Sequence, residues 1–376
     1  VRIAAAVGRV LAEDIRADSD MPPFDRSQMD GFAVRASDAK RIPAVLKIVG
    51  ESAAGRGWHR TLRSGEAVRI MTGAPVPDGA DSVQKIELTS ESDGTVIIKE
   101  PTEKRRYIVA KGAEIRKGER LFRSGERISE MMIATLAAFG YSIVKVAEKP
   151  LVSILSTGTE IVAIGKQPGR DQIRNSNSVM LKVLAEQAGA RVKLLTKTGD
   201  DLAKLKSRIS AGVDSGSDIV AITGGVSVGK YDLTKAALRE IGAELFFETV
   251  RLRPGKPTVF ARLGNTLIFG LPGNPVSAAV TFYLFARLAI MKMQNASQVD
   301  LRSGFAVLTS DAKAAKERDT YLPAKLSTSR EGVLLADPIK WHGSSDFVGF
   351  AAANALLFLG KGQTLASGST AKILFL

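Results

Sequence analysis

From residue 150 onward the chain alternates short apolar runs with amphipathic stretches, and no other feature restricts its fold as tightly. Residues 151–155, Leu-Val-Ser-Ile-Leu, have strand length and end in Ser156-Thr157-Gly158-Thr159, the pattern of a buried strand opening into a loop. Residues 177–189 carry apolar positions 180, 181, 183, 184 and 188 on one face, with an Asn cap and a terminal Gly, which predicts a helix. The period then keeps switching: strand 192–195, helix 201–211, strand 218–222, helix 233–241, and strands 244–247, 258–261 and 266–269. A long apolar helix opens at Asn274-Pro275, with the proline in its first turn. Such alternation predicts a mostly parallel, doubly wound α/β sheet over residues 150–296.

The flanks read differently. Residues 20–115 are rich in Gly, Pro and short Val/Ile runs and predict a small β domain. Residues 1–19 and 116–149 read as two pieces of one connecting α+β domain, with a helix over 129–139. Residues 297–376 return to short strands, at 305–308, 321–326, 332–336, 355–359 and 371–375, and predict a C-terminal β barrel or sandwich. The fold class is therefore multidomain α/β and β.

Composition narrows the chemistry. Among 376 residues there is no cysteine, which excludes disulfides, thiolate metal sites and cysteine nucleophiles. With only two histidines, His59 and His342, carboxylates, hydroxyls, lysines, backbone amides and a hard metal must do any chemistry. A formal charge of +14 favours anionic partners. Basic residues are scattered and aromatics make up 6%, so the stacking platforms of a nucleic-acid binder are missing. The start of the chain is charged throughout, and the uncharged run 264–286 is broken by Leu-Pro-Gly-Asn-Pro. We therefore expect no signal peptide, no membrane span and a cytoplasmic location.

In an open α/β sheet, ligands bind beyond the carboxyl ends of the strands. Three loops occupy such positions: Ser156-Thr157-Gly158-Thr159-Glu160, Thr198-Gly199-Asp200-Asp201 and TGGVSVGKYD at 223–232. The last comes within one residue of the nucleotide-binding pattern G-x-x-x-x-G-K-S/T, with Tyr231 where the hydroxyl belongs, so a P-loop is not expected. Glycines there allow backbone amides to approach phosphate oxygens, while Glu160, Asp200 and Asp232 add three carboxylates that imply Mg²⁺ as a bridging cation. The plainer alternative makes Asp200 and Asp232 helix caps and the glycines tight turns. Two rigid turns follow, RPGKP at 253–257 and LPGNP at 271–275; Arg253 and Lys256 suit a small oxyanion. Earlier, residues 22–31 bring Asp25, Ser27 and Asp30 close together, and Thr72 sits in a Thr-Gly turn.

Taken in order, FDRSQMDGFAVR, VRIMTGAPVPDGAD, LSTGTEIV with QIRNSNS, TGGVSVGKYD, RPGKP and LPGNPVSA resemble the molybdopterin molybdenumtransferase family. The resemblance is nearly continuous to about residue 290 and weaker through HGSS at 342–345. It implies four domains in an elongated homodimer, with the small β domain of one subunit facing the α/β domain of the other. The implied reaction inserts molybdate into the dithiolene of adenylylated molybdopterin and releases AMP in the presence of Mg²⁺. Possible contacts with a molybdopterin adenylyltransferase and with molybdoenzymes follow from that role.

Carried over by position, the resemblance makes Asp30 and Thr72 the partner subunit's contribution to the cleft, and Glu160, Asp200 and Asp232 the metal-organising carboxylates. Ser227, Arg253, Lys256 and Ser344 resemble the molybdate cradle. Asn175, Ser176 and Asn177, with Gly224 and Gly225, resemble the nucleotide and phosphate loops. Ser156, Thr157, Gly158, Pro254, Pro257, Pro272 and Pro275 belong to the same substrate-facing motifs. Four positions depart from the family's usual pattern: Thr159 replaces an Asp, Arg120 a carboxylate, Lys230 a commonly acidic residue and Pro323 an often basic one. A divergent paralogue that binds the cofactor precursor without turnover, as a scaffold, is the alternative these departures raise.

Overall fold

The computed structural model describes residues 1–226, 233–340 and 342–376. A six-stranded sheet forms first, from β1 (Gly31–Val34), β2 (Ala44–Ser52), β3 (Glu66–Ile70), β4 (Ser82–Lys85), β5 (Thr89–Ser92) and β6 (Thr95–Ile98). Its strand order is β4-β1-β3-β2-β6-β5. Phe32, Val34, Ala67, Val96 and Ile98 fill one core and Ala33, Val68, Ile70 and Val83 another, so both faces of the sheet are covered. Gly31 has to be glycine, since a Cβ there would lie 1.9 Å from the Gln84 carbonyl.

The chain's start and residues 120–146 share one core built from Ala6, Leu11, Ile15, Ile128, Leu136 and Val144. Within it lies helix α1 (Glu130–Ala138), whose N-cap Ser129 accepts from the Met132 amide at 3.4 Å.

The α/β sheet comprises β7 (Leu151–Ser156), β8 (Arg191–Leu194), β9 (Ile219–Thr223), β10 (Glu244–Phe247), β11 (Val259–Leu263) and β12 (Thr266–Leu271), in the order β8-β7-β9-β12-β11-β10. Strands β8, β7, β9 and β12 are parallel, and β11 and β10 add an antiparallel edge. Helices α2 (Ser176–Gln187), α3 (Leu202–Asp214), α4 (Leu233–Glu240) and α5 (Pro275–Thr281) cover the two faces. Leu181, Ala185 and Ile290 pack on one side, and Leu205, Ile209 and Leu238 on the other. Sheet order reverses at β7, which sends β8 one way and β9 the other and opens a crevice at their carboxyl ends.

Local details correct the sequence reading. Helix α2 is capped by Asn175, whose side chain accepts from the Ser178 amide, rather than by Asn177, and Val183 lies exposed. The helix period had put Val183 on the inner face; Leu181 and Ala185 define that face instead. Asn274 holds the N-cap position of α5, but its side chain makes no cap bond there. The helical run Pro275–Met293 is continuous, so the Leu-Pro-Gly-Asn-Pro break falls at its start. It is long and apolar enough to cross a membrane, yet 56% of it is buried inside the protein, where Val276, Ala279 and Phe282 belong to the core.

Strands β13 (Ser303–Leu308), β14 (Asp319–Thr328), β15 (Leu334–Pro338), β16 (Ala355–Leu359) and β17 (Thr370–Phe375) pair in a ring, and residues Leu252–Arg253 pair in addition with the start of β14. This closed five-stranded barrel settles the choice between barrel and sandwich. It encloses Ala306, Leu308, Ala324, Ala336, Leu357 and Ile373, small and branched residues that fit a narrow interior. Leu356, on the outside of the barrel, packs with Leu252, Val276 and Val280 and seats it against the α/β layer.

Candidate functional site

Where β7 and β9 end, their loops are pressed together. The Thr157 amide donates to the Thr223 carbonyl at 3.0 Å, Gly158 N to Thr198 O at 3.1 Å, and Gly224 N to Leu271 O at 3.2 Å. These three amides are thus spent inside the protein, a correction to the expectation that they face phosphate oxygens. The glycines serve close approach instead. Gly224 has φ +95°, and a Cβ there would meet the Thr157 carbonyl at 2.3 Å; at Gly158 it would meet the Glu160 carboxylate at 2.4 Å. Gly225, at φ +63°, leaves 3.0 Å between such a Cβ and the Thr157 methyl.

These loops line a cavity of about 580 Å³ between the α/β layer and the barrel. Thr157, Gly158, Glu160 and Asp200 form one wall, and Gly224 and Gly225 the floor beside it. Arg253, Pro254, Lys256 and Pro257 come from the first rigid turn and Pro272 from the second, while Ser344 closes the barrel side. Among the described residues neither Glu160 nor Asp200 makes an ion pair. The Asp200 carboxylate accepts from Thr159 Oγ1 at 3.2 Å, and the helix cap is supplied by Asp201. Asp200 is therefore no cap. The Lys204 amide, the first cause, holds the Asp201 carboxyl below its ordinary value.

Two polar atoms are buried without a partner among the described residues, Thr157 Oγ1 in the cavity lining and Asn177 Oδ1 behind it, outside the lining. Asn177 Nδ2 donates to Thr223 Oγ1 at 2.8 Å and to the Gly273 carbonyl at 2.7 Å, tying α2 to the ends of β9 and β12. Asn175 and Ser156 bond to each other at 2.9 Å, and neither lines the cavity. Ser176 and Pro275, each the first residue of its helix, also stay outside the lining. Ser344 Oγ accepts from Asn274 Nδ2 at 2.7 Å, and its carbonyl from the Val276 amide at 3.1 Å, so the 342–345 turn is latched across to α5. Asp346 steadies this turn; the amides of Gly349 and then His342 hold its carboxyl below the ordinary range.

Asp30 and Thr72 find each other but not the cavity. Asp30 Oδ1 accepts from the Thr72 amide at 2.6 Å and from Thr72 Oγ1 at 2.9 Å, and these bonds, the amide first, lower its pKa. Ser227, Lys230 and Asp232 lie outside the described residues. Among the described residues no group of three metal-ligating side chains converges. Of the remaining departures, Arg120 pairs with Asp14 at 3.1 Å and Pro323 sits opposite Leu356 in the barrel, both away from the cavity lining. Sequence reasoning missed Arg318, a third cation on the wall that reaches in from the turn before β14 and lies within 3.5 Å of the Leu252 carbonyl. Nothing in its local sequence marks it; only the seating of the barrel brings it there.

The family described as MoeA N-terminal region (domain I and II) matches residues 1–140, the probable molybdopterin binding domain residues 153–292, and MoeA C-terminal region (domain IV) residues 306–376. A Bacillus subtilis (strain 168) protein named molybdopterin molybdenumtransferase is 37% identical over 388 residues, covering 100% of this chain and 89% of its own. A Staphylococcus aureus (strain COL) protein of the same name is 34% identical over 379 residues, covering 100% and 90%. Among solved structures, a molybdopterin biosynthesis moeA protein from Pyrococcus horikoshii superposes with TM-score 0.81 at 32% identity, covering 100% of this chain and 93% of that one. A second structure described as a moeA protein from Pyrococcus horikoshii OT3 gives TM-score 0.85 at 28% identity, with 100% and 94% covered. With three family models, full-length relatives and full-length superposition all in agreement, the chain belongs to the molybdopterin molybdenumtransferase family.

Proposed function

We propose that the chain works in molybdenum cofactor biosynthesis, inserting molybdate into the dithiolene of adenylylated molybdopterin and releasing AMP. The observation that supports this most is the convergence, in one cavity, of Arg253, Lys256 and Arg318 with Glu160 and Asp200 over tightly packed glycine loops. Three guanidinium and ammonium groups suit an oxyanion and a phosphoanhydride. The sulfurs belong to the substrate, in keeping with a chain that has no cysteine.

In this scheme Arg253 and Lys256 hold molybdate, and the latched Ser344 turn fixes the wall opposite. The orphaned Thr157 Oγ1 in the cavity lining is left for a hydrogen bond to the substrate, which would remove the cost of burying it unpaired. Glu160 and Asp200, hard oxygen donors free of ion pairs among the described residues, fit a Mg²⁺ ion, with Asp232 as the third carboxylate. Held by these carboxylates, the ion would supply positive charge to offset that on the phosphoanhydride. The protein's own part is orientation: rigid proline turns and close-packed glycines keep both anions in one place.

We further propose a homodimer in the cytoplasm, in which Asp30 and Thr72 of each subunit complete the other's cavity. Their mutual bonding and their distance from the subunit's own cavity support that arrangement. The division into 1–19 with 116–149, 20–115, 150–296 and 297–376 goes with it, supported by separate sheets and cores. A molybdopterin adenylyltransferase and molybdoenzymes are the proposed partners. Incubation with adenylylated molybdopterin, molybdate and Mg²⁺ is expected to release AMP in step with molybdate. Tight precursor binding with no AMP at any molybdate concentration would instead identify a scaffold.

A further inference from the structure

On the small β sheet, outside the cavity, two cations grip one aromatic ring. Lys85 Nζ lies 4.7 Å from the centroid of the Tyr107 ring and the Arg106 guanidinium carbon 5.2 Å from it. Neighbouring cations are neutralised: Arg105 pairs with Asp25 at 2.6 Å and Lys104 with Asp81 at 4.0 Å. Among the described residues Lys85 and Arg106 have no carboxylate partner; both bond to the Tyr107 phenol, and Arg106 Nη1 donates to the Pro101 carbonyl at 3.1 Å. Arg105 and Tyr107 both hold left-handed backbone conformations, at φ 68° and 55°, which non-glycine residues rarely adopt and which folded proteins tend to keep at functional positions. Arg106 first and then Lys85 draw the Tyr107 phenol below its ordinary pKa, so this spot favours negative charge on an oxygen atom.

Its position connects it with the proposed reaction. Lys85 is paired with Gly31 across the β1–β4 ladder, the Ile86 amide donates to the Asp30 carbonyl at 3.1 Å, and the Gln28 amide donates to the Tyr107 carbonyl at 2.9 Å. The Asp30–Thr72 pair therefore stands on the same rim. We propose that Lys85, Arg106 and the Tyr107 hydroxyl form an oxyanion-binding clasp for a phosphate-class ligand. Two unpaired cations supply charge, the phenol O–H donates a hydrogen bond, and the strained backbone holds Arg106 and Tyr107 in register against Lys85. That the ligand belongs to the substrate of a facing subunit rests on the proposed transferase reading; the clasp itself does not.

The test uses inorganic pyrophosphate and the full-length protein. In R253A/K256A/R318A protein, where all three cavity cations are gone, calorimetry is expected to find a remaining pyrophosphate site. Adding K85A/R106A is expected to weaken it about tenfold or more. Ultraviolet titration of the tyrosines, with Y107F to assign the signal, is expected to show the Tyr107 phenol titrating higher once pyrophosphate is bound. A K85Q single variant gives a milder loss of affinity and guards against misfolding of the double variant. For the substrate as source, K85A/R106A alone raises KM for adenylylated molybdopterin about fivefold at unchanged kcat. An unchanged KM with lost pyrophosphate binding marks free phosphate as the ligand. Pyrophosphate affinity unaltered by K85A/R106A, or a Tyr107 titration indifferent to pyrophosphate, overturns the clasp.

Discussion

Gly224→Ala perturbs the junction of β7 and β9 with a single methyl group. That methyl would sit 2.3 Å from the Thr157 carbonyl, whereas ordinary contact begins near 3.4 Å, so the two loops must separate by about 1 Å. The φ of +95° adds strain, since a side chain in such a conformation costs about 1–2 kcal/mol. Together with the overlap we expect a stability loss of about 2–4 kcal/mol in the α/β layer. A displacement of about 1 Å at reacting groups lowers rates about 100-fold, so kcat/KM for AMP release should fall by that order. Gly242→Ala is the control: φ is +77°, but nothing lies within 4 Å of the added atom. It should cost about 1 kcal/mol and leave AMP release intact. Guanidinium unfolding and the AMP assay, run on both variants, check the account. G224A protein with activity within about threefold of the parent, or G242A protein equally impaired, would refute the steric argument.

Lys256→Ala removes one cation from the cavity wall and is expected to lower kcat/KM about 30-fold or more, with a higher KM for molybdate as the kinetic signature. Asn175→Ala deletes the α2 cap and leaves the buried Ser156 hydroxyl unpaired, which should cost about 1–2 kcal/mol in denaturant unfolding while changing KM for the precursor less than Asn177→Ala does. Acid should destabilise the protein in a defined window. Asp14, Asp20 and Asp30 are held below the ordinary carboxylate range foremost by the amides of Ser124, Lys117 and Thr72. Their folded pKa values are lowered, so the stability they contribute is present above about pH 5 and is lost as pH falls through the folded values. Unfolding free energies measured at pH 5 to 7 should therefore vary little on their account and drop below about pH 4.

The α/β layer was legible because its period keeps changing between two and three-to-four, and the apolar runs of its central strands end up buried, while Leu194 and Phe246 on the edge strands stay exposed. Ile219, Val220 and Ile222 are fully buried, as a parallel strand covered on both faces requires. The barrel was harder to read, since short alternating strands fit either a closed ring or two sheets, and closure depends on β14 pairing with both β15 and β16. Within the site, Arg253, Lys256 and the glycine loops could be placed because rigid turns follow predicted strands. The roles of Asn175 and Ser156 could not, because a cap and a substrate contact use the same side-chain chemistry. The inward turn of the Thr157, Gly158 and Gly224 amides was unreadable for a similar reason: spacing locates a loop, while neighbouring strands decide where its N–H groups point. Arg318 is 65 residues from Arg253 in sequence and joins it only through the contact between the barrel and the α/β layer.

The central claim, insertion of molybdate coupled to loss of the adenylyl group, is tested most directly by a single-turnover reaction followed by mass spectrometry. Purified protein, adenylylated molybdopterin and Mg²⁺ would be mixed with and without molybdate, and AMP and the pterin product measured together. We predict equal amounts of AMP and of molybdenum-bearing molybdopterin with molybdate present. AMP released without molybdenum entering the dithiolene, or precursor retained intact on the protein, would contradict it.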